Sequence, residues 1–225
     1  MDGSTMWLYL ISNRLGNPRG WPGEVEKITK ASAAGCQLIQ IRERDLSARL
    51  LCQMTKEAIE AIRPFGARVL VNDRLDVALA SGADGVHLRT TSIPVDAVRQ
   101  VRNQRGLGSF LIGVSTHSLA EAQLAEERGA TFIVTGPVFS PNSKTIEGPP
   151  MGLDRFEKIC QRVSLPVFAL GGVGKENYRE VMAAGAAGIA AIGLFQTTQG
   201  VSTVVSELLQ DPASQRSQRA FLIIP

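Results

Sequence analysis

The sequence predicts an α/β protein of one domain, a (βα)8 TIM barrel, and three observations carry that prediction. A phrase of helix end, glycine and short apolar strand recurs four times: AAGCQLIQI at 33–41, ASGADGVHL at 80–88, ERGATFIVTG at 127–136 and AAGAAGIAAIG at 183–193. Gly35, Gly82 and Gly129 fall 47 residues apart, the span of two strand-helix units, and the missing units are GARVLVN at 66–72, SFLIGVS at 109–115 and LPVFALGG at 165–172. The opening WLYLIS then completes eight apolar strands. Helices commonly end in a left-handed residue that glycine adopts cheaply, and a parallel strand covered on both faces reads as an unbroken apolar run.

Taken in order, strands are expected near residues 7–12, 37–41, 68–71, 84–88, 110–114, 131–136, 166–170 and 188–192. The segments between them carry helix signals. Asp45 or Ser47 precedes LLCQMTKEAIEAI, Pro94 opens PVDAVRQVR, Ser118 precedes LAEAQLAEER with Glu121 placed for a capping box, and residues 175–184 form a further helix. A doubly wound open sheet is the alternative, but it needs an end strand or edge interruption that the chain lacks. No Gly- or Ser-rich linker divides the chain, so residues 1–209 form the barrel and residues 210–225 a tail. The polar DPASQRSQR of that tail reads as mobile, and its apolar FLIIP end suits fraying or docking, either on its own barrel or on a second copy in a homo-oligomer.

Composition removes several classes of function. A net charge of +3 on 225 residues gives no field for polyanion binding, and 5% aromatic residues leave few platforms for base stacking. The start MDGSTMWLYLISNR lacks the basic residues of a secretory signal, and the apolar stretch at 183–195 is broken by Gly185, Gly188 and Gly193. Cys36, Cys52 and Cys160 are odd in number, widely spaced and free of any CxxC pattern, as expected of reduced thiols. These features predict a cytoplasmic protein that works on neither nucleic acid nor membrane.

In a parallel barrel the chemistry lies at the carboxyl ends of the strands. The residues there are Gln40, Arg42 and Arg44, then Asn72 and Asp73, then His87 with the loop Arg89 to Ser92, then Ser115 and His117, the loop 135–150, Gly171-Gly172 and Gly193. In QIRER the residues Gln40, Arg42 and Arg44 alternate, so they are expected on one side of an extended segment, where Arg suits clustered anionic oxygens. Arg42 could instead pair with Glu43 or Asp73 as scaffold. Gly171-Gly172 after strand seven and Gly193 after strand eight occupy the places where such barrels bind phosphate through backbone N–H groups. The loop GPVFSPNSKTIEGPPMG is far longer than the usual connection and carries Ser143 and Lys144, as a lid over a leaving phosphate would. His87 suits a core position and His117 a place orienting the adjacent loop.

In this order, QIRER, VNDRLDVALASGADGVHL, IGVSTHS, TGPVFSPNSK, GPPMGL, FALGGV and AAGAAGIAAIG resemble the thiamine-phosphate synthase and thiazole tautomerase superfamily over about residues 6–200. The resemblance implies small phosphorylated substrates. In the synthase branch it implies transfer of an aminopyrimidine from its diphosphate to a thiazole phosphate, with loss of pyrophosphate. It further implies Gln40, Arg42, Arg44 and Asn72 on the diphosphate, Asp73 on Mg²⁺ and Ser115 near the pyrimidine. Ser143 and Lys144 would meet the pyrophosphate, and Gly172 with the Ile192-Gly193 backbone the thiazole phosphate. Three positions depart from the synthase pattern: Arg44 stands for Lys, Ser92 for an acidic magnesium ligand and Pro141 for Thr. The tautomerase branch carries His directly after the strand-six Gly, where this chain has Pro137, the synthase-like choice. A tautomerase-like isomerase and a non-catalytic barrel that binds thiazole or thiamine phosphate are the alternatives.

Overall fold

The computed structural model describes residues 6–140, 149–196 and 199–215. Eight parallel strands close into a barrel in sequence order, β1 (Trp7–Ile11), β2 (Leu38–Ile41), β3 (Arg68–Asn72), β4 (Gly85–Leu88), β5 (Leu111–Thr116), β6 (Phe132–Thr135), β7 (Val167–Leu170) and β8 (Gly188–Ala191). Closure is made by β1 on β8, with Trp7 beside Gly188 and Leu10 beside Ala191. Among the described residues the α-helices are α1 (Gly20–Ala33), α2 (Ala48–Ile62), α3 (Leu75–Ser81), α4 (Val95–Gln104), α5 (Leu119–Arg128), α6 (Leu153–Arg162), α7 (Tyr178–Ala183) and α8 (Val201–Gln210). The closed barrel excludes the open doubly wound sheet.

Local chemistry explains the helix boundaries. Ser47 caps α2 by accepting from the Leu50 N–H, and Ser118 caps α5 by accepting from Glu121. Glu121 returns a bond to the N–H of His117, one residue before the cap, which ties the end of β5 to the start of α5. α7 begins at Tyr178, three residues later than the sequence suggests, because Asn177 folds back to accept from Gly174 N and to donate to Gly172 O. Gly35, Gly82, Gly129 and Gly185, which end the helices in the four repeated phrases, adopt positive φ.

Two apolar layers result. The larger lies between the strands' outer faces and the helices, and the smaller fills the barrel with Tyr9, Ile11, Leu38, Leu70, Leu111, Phe132, Val134, Phe168 and Ala190. The rings of Tyr9, Phe132 and Phe168 meet edge to face, with centroids 5.4–5.9 Å apart. The barrel is therefore a packed core, and only its mouth is open to chemistry.

Residues 211–215, which the sequence places in the tail, pack on the barrel. Met6 N donates to Ser214 O at 2.6 Å, Ser214 Oγ bonds Leu208 O, and Arg179 pairs with Asp211. Backbone pairing of this kind leaves no mark in a polar sequence. Residues 216–225, including FLIIP, lie outside the described residues. Cys36, Cys52 and Cys160 form no disulfide, and burial pushes the Cys36 thiol up to about 12. Among the described residues no helix is long and apolar enough to cross a membrane.

Candidate active site

The loop after β1 sets the position of the loop after β2. Ser12 Oγ donates to Glu43 Oε1 at 2.6 Å and accepts from Arg42 N at 2.8 Å. The same Glu43 oxygen accepts from Arg14 N at 3.1 Å, and the Arg14 guanidinium lies 3.7 Å from the other carboxylate oxygen. Burial raises Glu43 above the usual carboxylate range, and these donors pull against that. Glu43 is thus spent on Ser12 and Arg14, while Asp73 is held by Arg89, so neither forms the scaffold pair that Arg42 could have had. The Arg42 guanidinium is left where burial, then repulsion from Arg44 and Arg89, lowers its pKa. Three guanidiniums placed this way call for an anion.

Beneath them lies a neutral floor. Gln40, Tyr9, His87 and Ser115 form one chain of hydrogen bonds: Gln40 Nε2 donates to Tyr9 Oη at 3.0 Å, Tyr9 Oη meets His87 Nδ1 at 3.3 Å, and His87 Nε2 meets Ser115 Oγ at 2.9 Å. Tyr9, Gln40 and His87 are buried. Burial first, and the Arg42 charge second, lower His87 to about 3, so the imidazole is neutral. Among the described residues the Tyr9 hydroxyl proton has one acceptor, His87 Nδ1. The other ring nitrogen then carries the proton and donates to Ser115, which leaves the Ser115 hydroxyl free to donate to a ligand.

At the rim, β3 and β4 bring Asp73, Arg89 and Ser92 together. Asp73 Oδ2 accepts from Arg89 at 2.6 Å, Asp73 Oδ1 accepts from Ser92 Oγ, and Ser92 Oγ accepts from Arg89 N at 2.8 Å. Burial pushes the Asp73 carboxyl up. The bonds from Ser92 and Arg89, with the charges of Arg89 and Arg44, outweigh that and hold it below its ordinary value. Asp73 has φ +66, a conformation that Asp tolerates better than most residues and that functional sites often retain.

Across the mouth, the loops after β6 and β7 run together. Val138 N donates to Leu170 O and Phe139 N to Gly171 O, while Gly152 N returns to Val138 O, so the base of the long loop is closed. Gly172 has φ +64, and a Cβ there would stand 2.7 Å from the Phe139 backbone, so packing demands this glycine whatever it binds. At Gly193 a Cβ would meet open space, so packing does not require that glycine. His117 Nδ1 bonds Gly136 O at 2.6 Å and thereby orients the start of the loop.

The structure therefore brings Gln40, Arg42, Arg44, Asn72, Asp73, Ser115, Gly172, Ile192 and Gly193 to strand ends at one end of the barrel. Alternation holds for Gln40 and Arg42. Arg44 instead lies in the turn after β2 and is exposed, because the strand stops at Ile41. Ser143, Lys144 and Pro141 lie outside the described residues. Sequence reading missed Tyr9, although alternation in WLYLI pointed it inward with Trp7 and Ile11. It also missed Ser12 and Arg14, for which no local signal existed.

Fold and site define a (βα)8 barrel whose mouth carries guanidinium groups and backbone N–H donors at the carboxyl ends of its strands. The sequence model of the thiamine monophosphate synthase family matches residues 8–195, and the chain belongs to that family. It is 38% identical to the thiamine-phosphate synthase of Methanocella arvoryzae over 89% of this chain and 92% of that one. The thiamine-phosphate synthase of Chloroflexus aurantiacus is 37% identical over 80% and 82% of the two chains. Among solved structures, the thiamine phosphate pyrophosphorylase of Pyrococcus furiosus superposes with a TM-score of 0.79 at 33% identity, covering 92% of this chain and 95% of that one.

Proposed function

We propose that this chain is a transferase that joins an aminopyrimidine, delivered as its diphosphate, to a thiazole phosphate, yielding thiamine phosphate and pyrophosphate. The observation that carries this reading is the cationic rim of Arg42, Arg44 and Arg89 above a neutral, hydrogen-bonded floor, in a chain of this family. The methylene C–O bond breaks with its electron pair leaving on pyrophosphate, and the thiazole nitrogen lone pair forms the new C–N bond. No protein nucleophile is consumed, so the protein's work is alignment and stabilisation of the leaving charge.

Arg42, Arg44 and Asn72 then meet the diphosphate, joined by Ser143 and Lys144. Ser115 donates to the pyrimidine, while Gln40 belongs with the diphosphate-binding group. Gly172 and the Ile192-Gly193 backbone take the thiazole phosphate. A magnesium ion fits this donor set in the minimal way. Among the described residues no cluster of three or more His, Cys, Asp or Glu groups exists, so Asp73 would hold the ion together with the substrate's own oxygens. Bound there, the ion would neutralise charge on the diphosphate. Pro137 favours the synthase over the tautomerase, whose His it replaces.

Incubating the protein with the pyrimidine diphosphate, the thiazole phosphate and Mg²⁺ should give thiamine phosphate by mass spectrometry. No product at high enzyme concentration would refute the reading.

A further inference from the structure

We propose that Arg89 is a substrate-binding residue of this chain, a third guanidinium that meets the diphosphate beside Arg42 and Arg44 and supplies charge that a second metal-binding carboxylate would otherwise recruit. The inference rests on the diphosphate substrate proposed above. Three geometric facts support it. Arg89 is held at the rim by Asp73 and by its own backbone bond to Ser92, so its guanidinium is already placed before any ligand arrives. With 39% of its side chain exposed, it remains reachable from the mouth. Its Nε is buried and has no acceptor among the described residues, so the fork has a donor that the protein leaves unmet. Arg89 is also one of the charges that repel Arg42 and lower its pKa.

Ser92 decides how this site differs from one with two carboxylates. An acid at that position would compete for Arg89 or bind a metal with Asp73. Serine does neither: it donates to Asp73 and accepts from the Arg89 backbone, leaving one guanidinium and one carboxylate in the place of a metal pair. Arg89 and Mg²⁺ therefore have overlapping tasks. Both would neutralise diphosphate oxygens, and both would use Asp73 as their anchor. Removing the Arg89 guanidinium frees Asp73 Oδ2 for the ion, so the loss of binding should be larger without metal than with it.

The test is calorimetric binding of inorganic pyrophosphate to the wild-type protein, R89Q and R89K, each in EDTA and in saturating Mg²⁺, with melting curves alongside. R89Q should weaken binding in EDTA by about tenfold or more, the effect of one charge-assisted bond. In Mg²⁺ the loss should be smaller, and R89K should retain most of the binding in EDTA. Three results would overturn the proposal: wild-type binding by R89Q in EDTA, an equal loss with and without Mg²⁺, or losses as large in R89K as in R89Q. Wild-type protein that binds pyrophosphate with this pattern yet makes no thiamine phosphate would remove the proposed reaction and leave the Arg89 assignment standing.

Discussion

The floor and the rim of the barrel mouth are built by opposite means. On the floor, Gln40, Tyr9, His87 and Ser115 are neutral and fixed by a hydrogen-bond chain that crosses the barrel from β2 to β5. On the rim, Arg42, Arg44, Arg89 and Asp73 are charged and partly solvated, and cations crowd one another. Burial makes a charge costly and a satisfied neutral chain rigid, so the floor can fix an uncharged ring. Partial exposure lets the rim keep three guanidiniums at tolerable cost while their repulsion waits for an anion. Stability should therefore depend on the floor, and charge transfer on the rim.

The largest expected effect is on the rim. Arg42→Gln should lower kcat/KM by about 10²–10³-fold, the usual cost of one donor to developing negative charge. Its melting temperature should match or exceed that of the wild type, since the substitution relieves burial of a cation repelled by Arg44 and Arg89. A large fall in melting temperature would break the division between the two regions.

On the floor, Tyr9→Phe removes the hydroxyl that accepts from Gln40 and meets His87. Leaving those groups unpaired should cost about 1–3 kcal/mol of stability by denaturant unfolding. Activity should fall far less than in Arg42→Gln.

The neutrality of His87 gives a pH signature. The unfolded imidazole takes up a proton near its ordinary value of 6.5, whereas the folded one does so only near 3. Its contribution to stability is complete above pH 6.5 and is lost as pH falls toward 3. Relative to His87→Gln, the wild-type protein should lose up to about 1.4 kcal/mol per pH unit across that window. Parallel stability curves for the two proteins would place a charged imidazole on the floor.

The smallest effect concerns Ser92→Asp. A carboxylate cannot donate to Asp73 as Ser92 does, so the two acids would need a cation between them. The Mg²⁺ concentration for half-maximal activity should fall several-fold. An unchanged magnesium dependence would show that position 92 does not limit metal binding.

How much of this was legible depended on the range of the interaction. Strand runs, the glycines before them and the caps at Ser47 and Ser118 are local, and they fixed the barrel. Gln40 and Arg42 were legible because alternation along an extended segment is also local. The same rule misplaced Arg44, since nothing local marks the end of β2 at Ile41. Arg89, Ser92 and Asp73 were each visible at strand ends, but their joining depends on β3 and β4 lying side by side with Asn72 opposite His87. Ser12 and Glu43 join in the same way across β1 and β2. Arg42 and its partners thus entered as separate residues, and only packing made them a rim.

The central claim is that the leaving pyrophosphate's charge is met by this rim while the thiazole nitrogen takes the pyrimidine. Its most direct test quantifies both products of the wild-type reaction in the same samples over time. The account predicts one thiamine phosphate for each pyrophosphate throughout. Pyrophosphate formed in excess, or neither product formed, would contradict it.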